Sequence, residues 1–122
     1  MRLWTLEEAT AGLPEVRALV ARLRELIEAT RTNAGGNGSR ASGNGHGPTS
    51  SSAGEVQSIL ADLTERGIIV RDPERGLIDF PARAPSGRTY LLCWLDGEES
   101  IDWWHWQEDG FAGRTPLTEP PD

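Results

Sequence analysis

Lysine is absent from this sequence. All 12 basic residues are arginine, set against 19 acids, which leaves a formal charge of −7 on 122 residues. Cysteine is nearly absent as well. With Cys93 alone, an internal disulfide framework and a four-cysteine zinc site are both excluded. Long apolar runs are missing, since nothing approaches the roughly 20 residues that a membrane helix requires. Met1-Arg2-Leu3-Trp4-Thr5 leads directly into a helical pattern without the apolar stretch of a secretion signal. A cytoplasmic protein with no membrane partner is the expectation. At this length, with 37% hydrophobic residues, one small domain is expected, because a second core would not find enough apolar surface. Phenylalanine and tyrosine are scarce, two and one, so the five tryptophans carry most of the aromatic content.

Charge is unevenly placed. Residues 1–95 hold 11 arginines and 11 acids, whereas residues 96–122 hold Arg114 alone against eight acids, so the whole net charge falls in the last stretch. An acidic surface repels phosphate backbones, which argues against nucleic acid as a partner. A cationic small molecule or protein fits better.

The first third reads as helix. Thr5 and Glu8 have capping-box spacing, and Pro14 suits the first turn of a further helical segment, because proline lacks the donor that a helix interior uses. Leu13, Val16, Leu19, Val20, Leu23, Leu26 and Ile27 then recur at three- and four-residue steps, which predicts an amphipathic helix ending near Arg31. Residues 32–54 hold seven of the 14 glycines and nothing more apolar than alanine. They cannot bury enough surface to offset their ordering entropy, and they read as a flexible loop with His46 solvated inside it. Ser52 and Glu55 repeat the capping-box spacing, and Val56, Ile59, Leu60 and Leu63 predict the buried face of a second helix over 55–67 that stops at Gly67.

Beyond Gly67 the period changes to that of strands. Short strands are expected at 67–71, 77–82, 88–95 and 100–107, separated by Asp72-Pro73-Glu74-Arg75-Gly76, Pro85-Ser86-Gly87 and Asp96-Gly97. The expected fold is α+β. An antiparallel two-helix hairpin packs against a small antiparallel meander of about four strands over 68–117, followed by a tail at 118–122. The apolar stripe of the hairpin also offers a surface for a homodimer.

Several stretches carry a resemblance. Leu6-Glu7-Glu8-Ala9, Leu13-Pro14-Glu15-Val16, the run from Glu74 to Ala82, Leu92-Cys93-Trp94, Trp104-His105 and the run from Gly110 to Leu117 are similar to the bacterial family known as domain of unknown function 2203. The similarity spans nearly all of the chain except the Gly/Ser-rich segment. It implies a small cytoplasmic bacterial domain with two helices before a β region, and no assigned activity. The chain departs from the family pattern in that Gly/Ser-rich segment, where members usually continue their helices, and at Trp106-Gln107, where an acid followed by an apolar residue is common.

Chemistry is concentrated in the last hairpin. With an even-numbered loop through Asp96-Gly97, alternation places Tyr90, Leu92, Trp94, Ile101, Trp103 and His105 on one face, and Cys93, Asp102, Trp104 and Trp106 on the other. That separates Cys93 from His105 and removes a thiol–imidazole nucleophile, leaving Cys93 as a buried structural thiol. His105 with Glu108, Asp109 and Asp102 offers a nitrogen and three carboxylates, but a His-x-x-Glu at a strand end has no geometry that guarantees convergence. The simpler expectation is a ring tied to a neighbouring backbone group or acid. Arg114, after Gly110-Phe111-Ala112-Gly113, is expected to clamp a carboxylate such as Glu108 or Asp79.

Trp94, Trp103, Trp104 and Trp106 lie among six acids of one hairpin. With tryptophans on both faces, some aromatic surface is expected to stay exposed, where aromatic quadrupoles and carboxylates together attract cations. The reading is a non-enzymatic binding or interaction module, with no catalytic residue, no metal and no cofactor. Its candidate contact residues are Trp104, Trp106, His105, Glu108, Asp109 and Arg114. The alternative is a small metal-dependent or acid–base enzyme centred on His105.

Overall fold

The computed structural model describes residues 2–36 and 46–122, with side chains described for 2–31 and 53–122. Helix α1 spans Leu6–Gly36 and α2 spans His46–Glu65. Five strands follow: β1 (Ile69–Asp72), β2 (Leu77–Arg83), β3 (Thr89–Leu95), β4 (Trp103–Trp106) and β5 (Thr115–Pro116). They form one antiparallel sheet in chain order, β1-β2-β3-β4-β5, so the α+β class holds and the sheet has one strand more than expected. β5 has two residues, too few for alternation to be read from sequence.

The N-terminal cap forms as expected. The Glu8 amide donates to Thr5 Oγ1 at 3.0 Å, and the Thr5 amide donates to Glu8 Oε1 at 3.1 Å. Pro14 does not begin a new segment; it lies inside α1. A proline there removes one backbone hydrogen bond, and the stripe of Ala9, Leu13, Val16, Val20, Leu23 and Leu26, all buried, holds the helix through it. α1 also runs past Arg31 to Gly36, and α2 begins at His46 rather than at the Ser52–Glu55 spacing. The expected loop over 32–54 therefore gives way to helix at 32–36 and 46–54, while 37–45 and the His46 side chain lie outside the described residues. Once a helix is nucleated, each further residue adds a hydrogen bond, so a packed helix carries weak helix formers at its end. Glu55 caps nothing. It accepts two hydrogen bonds from Arg22 of α1, at 2.8 and 3.0 Å.

One apolar cluster joins the helices to one face of the sheet. Leu13, Val16, Val20 and Leu23 of α1 and Ile59 and Leu63 of α2 share it with Ile78, Phe80, Ala82, Leu92 and Trp94. Trp4 meets Phe80 edge-on at 5.1 Å between ring centroids, and its amide donates to the Pro81 carbonyl, which ties the N-terminus to β2. Two turns touch near the far end of the sheet. Gly76, at φ 76°, accepts from the Asp96 amide through its carbonyl at 3.0 Å. A Cβ there would come within 2.6 Å of Asp96 Cβ, so both its conformation and its surroundings require glycine.

The register of β3 with β4 overturns the expected faces. Tyr90 pairs with Trp106, Leu91 with His105, Leu92 with Trp104 and Cys93 with Trp103. Residues of equal parity therefore share a face, which puts Trp104 and Trp106 with Tyr90, Leu92 and Trp94, and His105 with Cys93. The reason lies in the connection. Asp96-Gly97 turns the chain, with the Glu98 amide donating to the Leu95 carbonyl, but residues 98–102 continue as a loop before β4. Glu98 fills that loop: its carboxylate accepts from the Leu95 amide at 2.9 Å and its carbonyl from the Trp94 indole at 3.0 Å. Cys93 opposite Trp103 leaves nine residues between them, an odd number, and odd spacing exchanges the two faces.

Candidate functional site

Directly opposite Cys93 on β3 stands Asp79 on β2. Asp79, Cys93 and His105 thus line up across three neighbouring strands on the face away from the helix-packed cluster. Their relative exposures are 0, 1 and 3%. A carboxylate oxygen, the thiol sulfur and an imidazole nitrogen of the three all lie within 4.8 Å of one another. Beside them is a cavity of about 250 Å³, also lined by Arg71, Leu77 and Gln107 through Phe111.

Both ring nitrogens of His105 and both carboxylate oxygens of Asp79 have partners. His105 Nε2 lies 3.2 Å from Asp79 Oδ1, and His105 Nδ1 lies 2.8 Å from the Trp106 carbonyl. A carbonyl only accepts, so Nδ1 carries a proton. Arg71 Nε donates to the other Asp79 oxygen at 2.6 Å. Arg71 reaches it because the β1–β2 register shifts between Val70 and Asp72, and the residue in that bulge is Arg71. The hydrogen bond to Asp79, with a further one to Cys93, outweighs burial and pushes the His105 pKa up to about 10. Burial works to raise the Asp79 pKa, but hydrogen bonds from His105 and Arg71 prevail and hold it below the ordinary carboxylate range. At neutral pH the His105 ring is protonated against the ionised Asp79, with Arg71 and Cys93 alongside.

The expected site residues disperse around this centre. His105 is tied to backbone and acid as the simpler expectation had it, but its acid is Asp79 rather than Glu108, Asp109 or Asp102. Glu108 and Asp109 line the cavity, and Glu108 is held by Arg88. Asp102 accepts from the Ser100 hydroxyl outside the cavity. Arg114 is a clamp with a different partner: it donates to Glu98 Oε1 at 2.8 Å and lies over the rings of Trp103 and Phe111. It sits just before β5, which pairs with the start of β4 and so faces the 98–102 loop.

The tryptophans offer little free surface. Trp104 is 6% exposed and donates its indole N–H to the Glu119 carbonyl at 2.9 Å, so the expectation of an exposed ring does not hold for it. Trp94 is fully buried; Trp103 and Trp106 are half-buried. Guanidinium groups of the chain itself occupy the aromatic faces. Arg2 lies 3.6 Å from the Trp4 centroid, Arg88 3.8 Å from Trp106, Arg114 5.0 Å from Trp103 and Arg17 5.7 Å from Trp94. The acidic stretch is answered the same way, with Arg24 on Asp96, Arg88 on Glu108 and Arg114 on Glu98.

Asp79 and Arg71 were missed as site residues. The signal in sequence was an acid at the centre of the otherwise apolar strand Leu77-Ile78-Asp79-Phe80-Pro81, a place where an unpaired charge is costly. Among the described residues no helix is long and apolar enough to cross a membrane. The family model described as an uncharacterized conserved protein, DUF2203, matches residues 2–117, and the chain belongs to that family. No curated protein and no solved structure matches it.

Proposed function

We propose that this member of the DUF2203 family is a binding module for a small cation, and that its ligand enters the cavity beside His105 rather than resting on the tryptophan surface. The observation that supports this reading is the cavity lining itself. It sets the three carboxylates of Asp79, Glu108 and Asp109, with the Gln107 amide and Cys93, against the two cationic groups Arg71 and His105. A buried ion pair contributes little to stability compared with well-packed apolar residues. Its position on a cavity wall favours a functional role. In this reading the helices, as a hairpin, support the sheet from behind, and Trp103, Trp106 and Arg114 stiffen the frame.

The test uses chelator-treated full chain titrated with methylguanidinium, methylammonium and acetate, followed by the His105 ring resonances. The two cations are expected to shift those resonances and acetate to leave them unchanged, with Glu108→Gln/Asp109→Asn weakening the response. If acetate alone shifts the ring, or nothing does, the cation reading falls. A second reading, acid–base chemistry at His105, is favoured by the placement of Cys93 beside the ring, and would show as turnover lost in His105→Gln.

A further inference from the structure

We propose that Asp79, Cys93 and His105 bind one divalent transition ion of the zinc class, leaving a fourth position that faces the cavity. This deepens the cavity reading, since the ion would be the cation held there.

Three observations carry it. The first is the donor set. A carboxylate oxygen, a thiolate sulfur and an imidazole nitrogen are the ligand types zinc takes, at about 2.0–2.3 Å. Donors at such distances around one tetrahedral centre lie roughly 3–4 Å apart, and these three, on adjacent strands, are already within 4.8 Å of one another. Small side-chain rotations close them on an ion. The second is the outer layer. Ligating histidines characteristically donate their other ring N–H to a carbonyl, and ligating carboxylates are themselves hydrogen-bonded. Here Nδ1 of His105 is engaged by the Trp106 carbonyl, which aims Nε2 at the cluster. Arg71 occupies Asp79 Oδ2, which leaves Oδ1 on the cluster side. The third is Cys93. A simple buried ion pair needs neither a thiol against it nor a cavity at its side, and a metal centre uses both.

In the loaded form the ion replaces the hydrogen bond between Nε2 and Oδ1. Nε2 and Sγ bind as lone-pair donors, any proton on either leaving to solvent, and the Asp79 carboxylate and Cys93 thiolate balance the two charges of the ion. Three protein ligands with an open position is the arrangement of catalytic rather than structural zinc.

The experiment is cobalt(II) titration of the chelator-treated full chain. One ion per chain is expected, with an intense near-ultraviolet thiolate-to-cobalt absorption. Cys93 is the sole cysteine, so that band reports on it without a variant. Cys93→Ser is expected to keep the thermal midpoint within a few degrees and lose the band, and Asp79→Asn to weaken binding at least tenfold. Cobalt that binds without the band, or no stoichiometric binding, overturns the metal site. In that event a retained response of His105 to methylguanidinium leaves the cavity reading standing, whereas a cobalt band without any organic-cation response removes organic guests and keeps the metal.

Discussion

On one face of the sheet, Ile78, Phe80, Leu92 and Trp94 meet the apolar stripes of two helices; on the other, one residue further along the same strands, Asp79 and Cys93 meet His105 and a cavity. Both faces are equally shielded from water, since Phe80 and Asp79 are each 0% exposed. Burial alone therefore does not separate scaffold from site. The difference is what each side chain gains from it: the helix face gains apolar area and dispersion contacts, while the far face meets a desolvation cost that only mutual pairing offsets.

The contrast predicts a graded response. Trp94→Ala, on the helix face, is expected to cost about 3–5 kcal/mol, a large share of the total for a domain of this size, and chemical denaturation would register it as a lower midpoint. On the far face, Asp79→Leu removes the carboxylate that pairs with the buried His105, whose ring then gives up its proton or stays charged and unpaired, and it is expected to cost about 3–5 kcal/mol in the same assay. Asp79→Leu/His105→Leu removes both charges and is expected to recover most of that loss. Arg71, with its side chain 42% exposed, turns to solvent. No such rescue exists for Trp94. If the double variant is no more stable than the single one, the far face is held by packing just as the helix face is.

The pH dependence sharpens the same point in metal-free protein. His105 holds its proton more tightly folded than unfolded, so its contribution is whole below the ordinary imidazole pKa of about 6.5. It declines above that and is gone once pH passes about 10. Asp79 acts in the opposite sense: its contribution is present above the ordinary carboxylate range and is lost as pH falls beneath it. Stability measured from pH 6 to 11 is expected to fall steadily for the parent and to be flat over the imidazole part of that range in Asp79→Leu/His105→Leu. Equal slopes would remove the pair as the source.

The smallest effect is expected at the edge of the helix face. Arg88→Ala uncovers Trp106 and releases Glu108, with a loss of stability smaller than any of those above. Acrylamide quenching of tryptophan fluorescence is expected to rise in this variant. Unchanged quenching would mean that the guanidinium does not shield the ring.

Much of the helix face was legible in the sequence. The recurrence of Leu13, Val16, Val20 and Leu23 and the pair Ile59 and Leu63 mark residues that are buried, because a stripe of apolar side chains on a helix has one way to leave water. The turn at 72–76 and the strands around it were legible for the same local reason, with glycine where φ is positive. Three features were not legible. The acidic tail, isolated by counting, meets arginines from distant parts of the chain. The tryptophan faces are taken by such arginines too. The third is the pairing of Cys93 with His105.

What the amino-acid order determined by itself is the two helices and the first four strands, and which side of each helix turns inward, because helical and strand periods are local properties of the backbone. What only the tertiary structure decided is which residues of β3 and β4 share a face, and with that the site. An odd span between Cys93 and Trp103, held by the hydrogen bonds of Glu98, exchanges the faces of β4 relative to β3. Side chains alternate with period two, so one residue of loop length is enough to bring an imidazole to a thiol and a carboxylate or to keep them on opposite sides of a sheet.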